Sequence, residues 1–353
     1  MSKIWTRMGD GQAVEMTPDE LRQDIIEASE DAADKGKVPP LEEREIEKLM
    51  EIFSAPWRVI GVEPGHEVPL TKDETACTLV SSQLSSGAHL PISREAAVEV
   101  FERVFAFDTM ELGWIDYSFK PAKPMVSLDQ VAIERLLATT VFPILYGAMP
   151  NMGLYYTPDG PYTNPADLLG MMKVDEAREE EMKAAELCME DMIFVCKRMA
   201  EVGADGIDFD TTASAGDADF LATLKTVEEL KKTTKLGIEV GMSGEFILGM
   251  HGEVEYKGKK LAGMFPQDQL KVVEEAGADI FGPVVNTKTN KSAAWNVARA
   301  VTFVKEVCKQ ATIPIHANVG MGVGGTPMFE TPPIDALSRA SVAMVEIAKV
   351  DGL

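Results

Sequence analysis

Two junctions in this sequence carry the same signal. Gly203-Ala-Asp-Gly-Ile207 and Gly277-Ala-Asp-Ile280 each follow a helical stretch with a glycine and lead through an aspartate into an apolar strand. Around them, short apolar runs alternate with amphipathic stretches. Val141-Phe-Pro-Ile-Leu-Tyr-Gly147 has strand length, and a loop rich in Pro, Gly, Asn and Tyr follows over 150–165. A helix with a Glu/Lys face and a Met/Leu face covers about 173–202. Then come a strand at Gly206-Ile-Asp-Phe-Asp210, a helix near 216–233, and a strand at Leu236-Gly-Ile-Glu-Val240. A hairpin at 253–260 precedes a helix at 267–276. Asp279-Ile-Phe-Gly282 is a strand, 292–310 a helix, Ile313-Pro-Ile-His-Ala317 a strand, and Ile334 to Ala348 a helix.

Such alternation is the signature of an α/β fold built on a parallel sheet. The unit spacing predicts a (β/α)8 TIM-type barrel over 56–353, with clear βα units from about 140, and a helical N-terminal extension over 1–55. An open doubly wound sheet is the competitor. Its dinucleotide version is disfavoured, because no GxGxxG follows the first clear strand. A third copy of the junction signal, Val350-Asp-Gly-Leu353, stands where a sixth strand should begin. The expectation is a barrel incomplete at its C-terminus, since strand edges left open stay unpaired. The alternative is a short terminal tail.

Within the N-terminal extension, Thr17-Pro-Asp-Glu20 reads as an N-cap, a proline at the first helical position and a capping-box glutamate. A second helix is expected after Pro39-Pro40, and an extended piece at Arg58-Val-Ile-Gly-Val62. Residues 51–135 are the least readable stretch.

Charge narrows the partners. The 353 residues are 26% charged with a formal net charge of -23, so the basic face of a nucleic-acid binder is missing. Strong acidity reads either as a solvated surface or as an acidic cleft for a cationic substrate. Cys77, Cys188, Cys196 and Cys308 form no CxxC, and the N-terminus has no secretory pattern or membrane-length apolar run. A cytoplasmic, thiol-reduced protein is expected. Cys188 and Cys196 lie eight apart on one helix and read as core residues.

In a barrel of this kind the chemistry gathers at the C-terminal ends of the strands. There the sequence offers Tyr146, then Asp208 and Asp210 with Thr211 and Thr212, then Glu239, Ser243 and Glu245, then Asn286 and Asn290, then His316 and Asn318. Each has a bland reading: Asp210 to Thr212 as a helix N-cap region, His316 as a satisfied core histidine. Glu239 is the hardest to dismiss, because a carboxylate on an apolar strand is costly to bury without a partner. Gly320-Met-Gly-Val-Gly-Gly325 is a glycine-rich turn, so Gly322, Gly324 and Gly325 are candidates for cradling a phosphate or for close backbone approach to a large ligand. The four isolated histidines and unpaired thiols predict no metal bound by this chain.

Several longer segments resemble one family. They are Asp108-Thr-Met-Glu-Leu-Gly113, Ile115-Asp-Tyr-Ser-Phe-Lys-Pro121, Tyr146-Gly-Ala-Met-Pro-Asn-Met-Gly-Leu-Tyr-Tyr-Thr-Pro-Asp-Gly-Pro161, Leu248-Gly-Met-His-Gly252, Ala300-Val-Thr-Phe303, and Gly320 to Gly325 with Glu330-Thr-Pro-Pro-Ile-Asp335. From about residue 8 to Leu353 the chain resembles the pyrrolysine-containing dimethylamine:corrinoid methyltransferases of methylamine-dependent methanogenesis and of some methylotrophic bacteria. The resemblance implies methyl transfer from dimethylamine to the cobalt(I) of a corrinoid held by a cognate partner protein, with no cofactor bound by this chain. It also implies a pyrrolysine, encoded by an amber codon, directly after Leu353. About a hundred further residues would complete a barrel of usual size. A chain ending at Leu353 is then expected to be inactive, and a homo-oligomer is expected. The resemblance supplies no list of catalytic side chains. Strand-end position alone ranks Glu239 first, then Asp208, Asp210, Glu245, Tyr146, Asn286 and His316.

Overall fold

Thr17 opens the first long helix as its sequence predicts. Its hydroxyl accepts the N–H of Glu20 at 3.2 Å, the Glu20 carboxylate accepts the Thr17 N–H at 2.8 Å, and Pro18 sits in the first turn. In this computed structural model the described residues are 3–69, 76–80, 89–93, 111–112, 117–118, 122–124, 145–148, 150–249, 252–287, 290–329 and 332–353. Val141 to Ile144 of the first expected strand lie outside them.

A hairpin that the sequence pattern did not announce, β1 (Ile4–Arg7) with β2 (Ala13–Met16), precedes α1 (Pro18–Gly36) and α2 (Glu43–Ser54). The expected extended piece at 58–62 forms no strand. Two small antiparallel pairs follow, β3 (Ala76–Val80) with β4 (His89–Ser93) and β5 (Glu111–Leu112) with β6 (Tyr117–Ser118). The principal sheet contains β7 (Ala122–Pro124), β8 (Leu145–Ala148), β9 (Gly206–Thr212), β10 (Gly237–Met242) and β13 (Ile280–Gly282), side by side in that order. All its pairings are parallel except β7 with β8. Beyond β13 the order continues as backbone bridges, Phe281 to Ile315 and His316 to Gly352. The Val350 to Leu353 segment therefore lies beside the 313–317 segment, as its junction signal predicts.

Among the described residues the winding never reverses, whereas a doubly wound sheet needs a reversal. The described sheet is nonetheless not closed. What stands is a mixed α/β fold on a parallel sheet.

Helices α3 (Pro165–Gly170), α4 (Val174–Glu201), α5 (Asp217–Thr233), α6 (Pro266–Ala276), α7 (Ala293–Gln310) and α8 (Ile334–Ala343) connect the strands. The small hairpin β11 (Glu255–Tyr256) with β12 (Lys259–Lys260) interrupts before α6. Helix α8 runs on into a π-helical turn, Met344–Ala348. On α4, Ala177, Ala184, Ala185, Cys188, Met192 and Cys196 form the buried stripe, so both of these thiols are core residues. Burial pushes each thiol up to about 12, which keeps it protonated and inert.

Helix α7 is buried almost all round because α1 covers its outer side. Leu21, Ile25, Ala28 and Ala32 of α1 join one hydrophobic cluster with Val297, Ala300, Val301 and Val304 of α7. Each fully buried Leu or Ile there contributes roughly 1.5–3 kcal/mol. The approach is close enough that a Cβ on Gly36 would come within 2.4 Å of the Phe303 ring. The N-terminal helices thus share the core of the sheet's helices. Among the described residues no helix is long and apolar enough to cross a membrane.

Candidate functional site

The strand register decides which of the sequence-nominated residues meet. Asp208 lies opposite Glu239, and Gly147 lies opposite Asp208. Ile207, Phe209, Ile238 and Val240 are fully buried in the hydrophobic cluster. Because side chains alternate along a strand, Asp208, Asp210, Glu239 and Gly241 project from the opposite face of the sheet. Tyr146, also nominated, is in register with Ile207, outside this row.

The row is packed by glycines. Gly241 is level with Gly282 on the next strand, and a Cβ on Gly282 would meet the Gly241 Cα at 3.1 Å. A Cβ on Gly241 would lie 3.3 Å from Oδ1 of Asp208 and 3.7 Å from Oδ1 of Asp210. The two carboxylates therefore lean into the space these glycines leave. Asp208 and Glu239 are 5% and 6% exposed, so water screens them poorly.

On the far side of the glycines is His316. Its Nδ1 lies 2.5 Å from Oε1 of Glu239. With Glu239 ionised, Nδ1 carries the hydrogen and donates it, which makes Nε2 the ring's acceptor. This pairing gives His316 a carboxylate partner, Glu239, which itself lies level with Asp208 on the next strand.

The other nominated groups are engaged differently. Glu245 accepts the Asn286 N–H at 2.9 Å and an Nη2 hydrogen of Arg299 at 3.1 Å. Arg299, 3% exposed, also donates through Nε to Asp31 of α1 at 3.0 Å. Glu245 is thus the end of a buried chain that ties the loop after β10 to the N-terminal helix. The Asn286 amide group reaches the Ser243 carbonyl at 3.4 Å, linking the loops after β10 and β13.

In the glycine-rich turn, the N–H groups of Gly322, Val323, Gly324 and Thr326 donate to Pro327, Gly320, Val285 and Val323 carbonyls. A Cβ on Gly325 would come within 2.8 Å of the Val297 backbone. Gly325 thus packs closely on α7, whereas Gly322 lies against Met328 and Gly324 against Asn318 and Val319.

Reading along the strands missed a second acidic group. Asp219, fully buried in the first turn of α5, accepts the N–H groups of Ala213 at 2.5 Å and Ala215 at 2.8 Å. It clamps a turn in which Thr211 and Ala213 take left-handed φ of 55° and 66°. Burial nevertheless pushes Asp219 up to about 8, and burial plus the Asp217 charge pushes Glu181 up to about 7. The legible signal was Asp217-Ala-Asp219 directly after a glycine, an acidic helix start. Glu181 belongs to the run Glu179 to Glu181 but lies in the buried stripe of α4, four residues from both Ala177 and Ala185, and that spacing could have found it.

Among the described residues no His/Cys/Asp/Glu group has the arrangement to hold a metal ion. What the inner row offers is negative charge, hydrogen-bond acceptors and one imidazole, which suits a small cation bearing N–H groups. That chemistry agrees with what the whole sequence is similar to. Residues 2–353 match the model of the dimethylamine methyltransferase family, and the chain belongs to that family of transferases.

Proposed function

We propose that the inner row of Asp208, Asp210, Glu239 and His316 binds dimethylammonium at the mouth of a (β/α)8 barrel. Its methyl group passes to the cobalt(I) of a corrinoid carried by a separate protein. The observation that carries this reading is the 2.5 Å Glu239–His316 pair beside Asp208 in a member of this family.

A carboxylate within 4 Å of an ammonium attracts it by about 4 kcal/mol at an effective dielectric of 20. The N–H groups of the cation give it direction. In the transfer the C–N bond breaks and nitrogen keeps the electron pair. The cobalt(I) acceptor supplies the pair for the new bond to carbon. Starting from dimethylammonium, the leaving group is neutral methylamine; starting from the neutral amine, it would be an amide anion. The carboxylates therefore serve by keeping the amine protonated until the bond breaks. The Glu239–His316 pair holds or moves the proton as product leaves.

The pyrrolysine that the resemblance implies would supply an imine to grip the amine. Gly352 is level with His316, so the segment that would lead into such a residue runs beside the Glu239–His316 pair. Cytoplasmic location, self-association and the absence of a cofactor bound by this chain belong to the same proposal.

The test is to purify the protein from its native host and supply it with reduced corrinoid protein and each methylamine in turn. Transfer from dimethylamine is expected to exceed that from methylamine or trimethylamine at least tenfold. Equal rates would overturn the assignment.

A further inference from the structure

The chain's net charge is -23, yet one cavity of about 470 Å3 is lined by five basic side chains against two acidic ones. Arg44 and Lys48 reach it from α2, Lys305 and Lys309 from the last turns of α7, and Lys349 from the end of the π-helical turn. Those turns immediately precede the 311–317 and 350–353 segments, so the cavity lies where strands begin. The Glu239–His316 pair faces the other end of the sheet.

The two acids do not neutralise it. Glu45 is consumed by the buried ammonium of Lys305 at 2.6 Å. Glu346 accepts the Glu63 N–H at 3.0 Å and meets Nδ1 of His66 at 3.0 Å, so its charge is shared between His66 and the Lys349 of the cavity. The remaining cations are weakly held. Arg44 meets Glu42, Lys48 meets Glu51 at 3.1 Å, and Lys309 meets Glu306 at 3.8 Å, all local pairs with at least one well-exposed partner. Pairs of that kind are easily exchanged for a better anion. Lys349 acts on the Glu346 carboxylate only through its charge, with no salt bridge within 4 Å among the described residues. It holds a left-handed φ of 65°, which a lysine adopts at a cost.

The backbone adds an independent sign. Met344–Ala348 is the π-helical turn of the described chain, and Ile347, Ala348 and Lys349 all line the cavity. Such turns concentrate at functional positions because they re-aim side chains that an α-helix would place elsewhere. Cys308, Ile347 and Ala348 give one apolar wall. Its volume is that of a small-molecule site.

We infer that this cavity binds a phosphorylated small molecule of nucleotide size. Phosphate oxygens would take Arg44, Lys48, Lys309 and Lys349, and the organic portion would lie on the Ile347–Ala348 wall. The inference is independent of the methyl-transfer reading.

Calorimetric titration of the protein with ADP and with pyrophosphate at low salt tests it. One site per chain is expected, with ADP tighter than pyrophosphate and both weakening as salt rises. A Lys48→Gln, Lys349→Gln double variant alters only solvent-reaching side chains and should keep its circular dichroism while losing at least tenfold in ADP affinity. A Glu239→Gln variant should bind ADP unchanged. No binding of either probe at millimolar concentration, or wild-type affinity in the double variant, would overturn the site. Pyrophosphate binding as tightly as ADP would overturn the organic portion of the ligand.

Discussion

Carboxylates crowd the C-terminal ends of the central strands in two sets, and the sets are satisfied in opposite ways. Asp219 and Glu245 spend their oxygens on backbone N–H groups and on the Arg299 guanidinium. Those partners never exchange a proton near neutral pH. Glu239 instead faces an imidazole, a group that can both donate and accept a proton. Equal burial therefore does not mean equal role. The first set builds the loops, and the second can take part in a reaction.

The largest effect expected from this contrast is on turnover. Glu239→Gln keeps the shape and removes the charge facing His316. It should lower kcat/KM by about 10²–10⁴-fold, the usual range for a positioned proton carrier, while the melting temperature stays near wild type. Parallel losses of activity and cooperative folding would instead put Glu239 in the structural set.

Next in size is Arg299→Ala. It leaves the buried Glu245 without its counter-charge, while Asp31 keeps Lys35, and should cost about 3–5 kcal/mol of unfolding free energy, as removal of one member of a buried ionic group does. Urea unfolding measures it directly. A loss below about 1 kcal/mol, the range of an exposed pair, would remove the clamp from the account.

The smallest effect is a pH dependence. Glu181 and Asp219 hold their protons up to about 7 and 8, well above the range of carboxyls in an unfolded chain. Between about pH 4 and those values the folded state binds more protons than the unfolded one, so stability falls as pH rises. Glu181→Gln should gain stability relative to wild type as pH goes from 5 to 8. Denaturation midpoints for the two proteins that run parallel across this window would contradict the assignment.

Much of this was legible in the sequence for local reasons. The Thr17 capping box involves residues three apart, and the glycine-aspartate junctions fix where helices end and strands begin. Strand-end position put Asp208, Asp210, Glu239 and His316 into one list, and the register places Asp208 level with Glu239, whose carboxylate meets His316. That list also held Tyr146, Glu245 and Asn286, because proximity to a strand end says nothing about register or partners. Tyr146 stands level with Ile207, Glu245 belongs to an arginine 54 residues away, and Asn286 bridges two loops. In the 320–325 turn the sequence offered a phosphate cradle or close backbone approach to a large ligand; it could not show that Gly325 lies against Val297 of a neighbouring helix.

By itself, then, the sequence determined the alternation of strand and helix, the caps, the acidic character and the family. These follow from near-neighbour spacing, and from segments long enough to be recognised. Only the tertiary structure decided that Glu239 meets His316 from 77 residues away, that Arg299 binds α1 to the loop after β10, and that scattered lysines converge on one cavity. Those outcomes depend on how strands align and helices pack, which is set by the sum of many contacts and written at no single position.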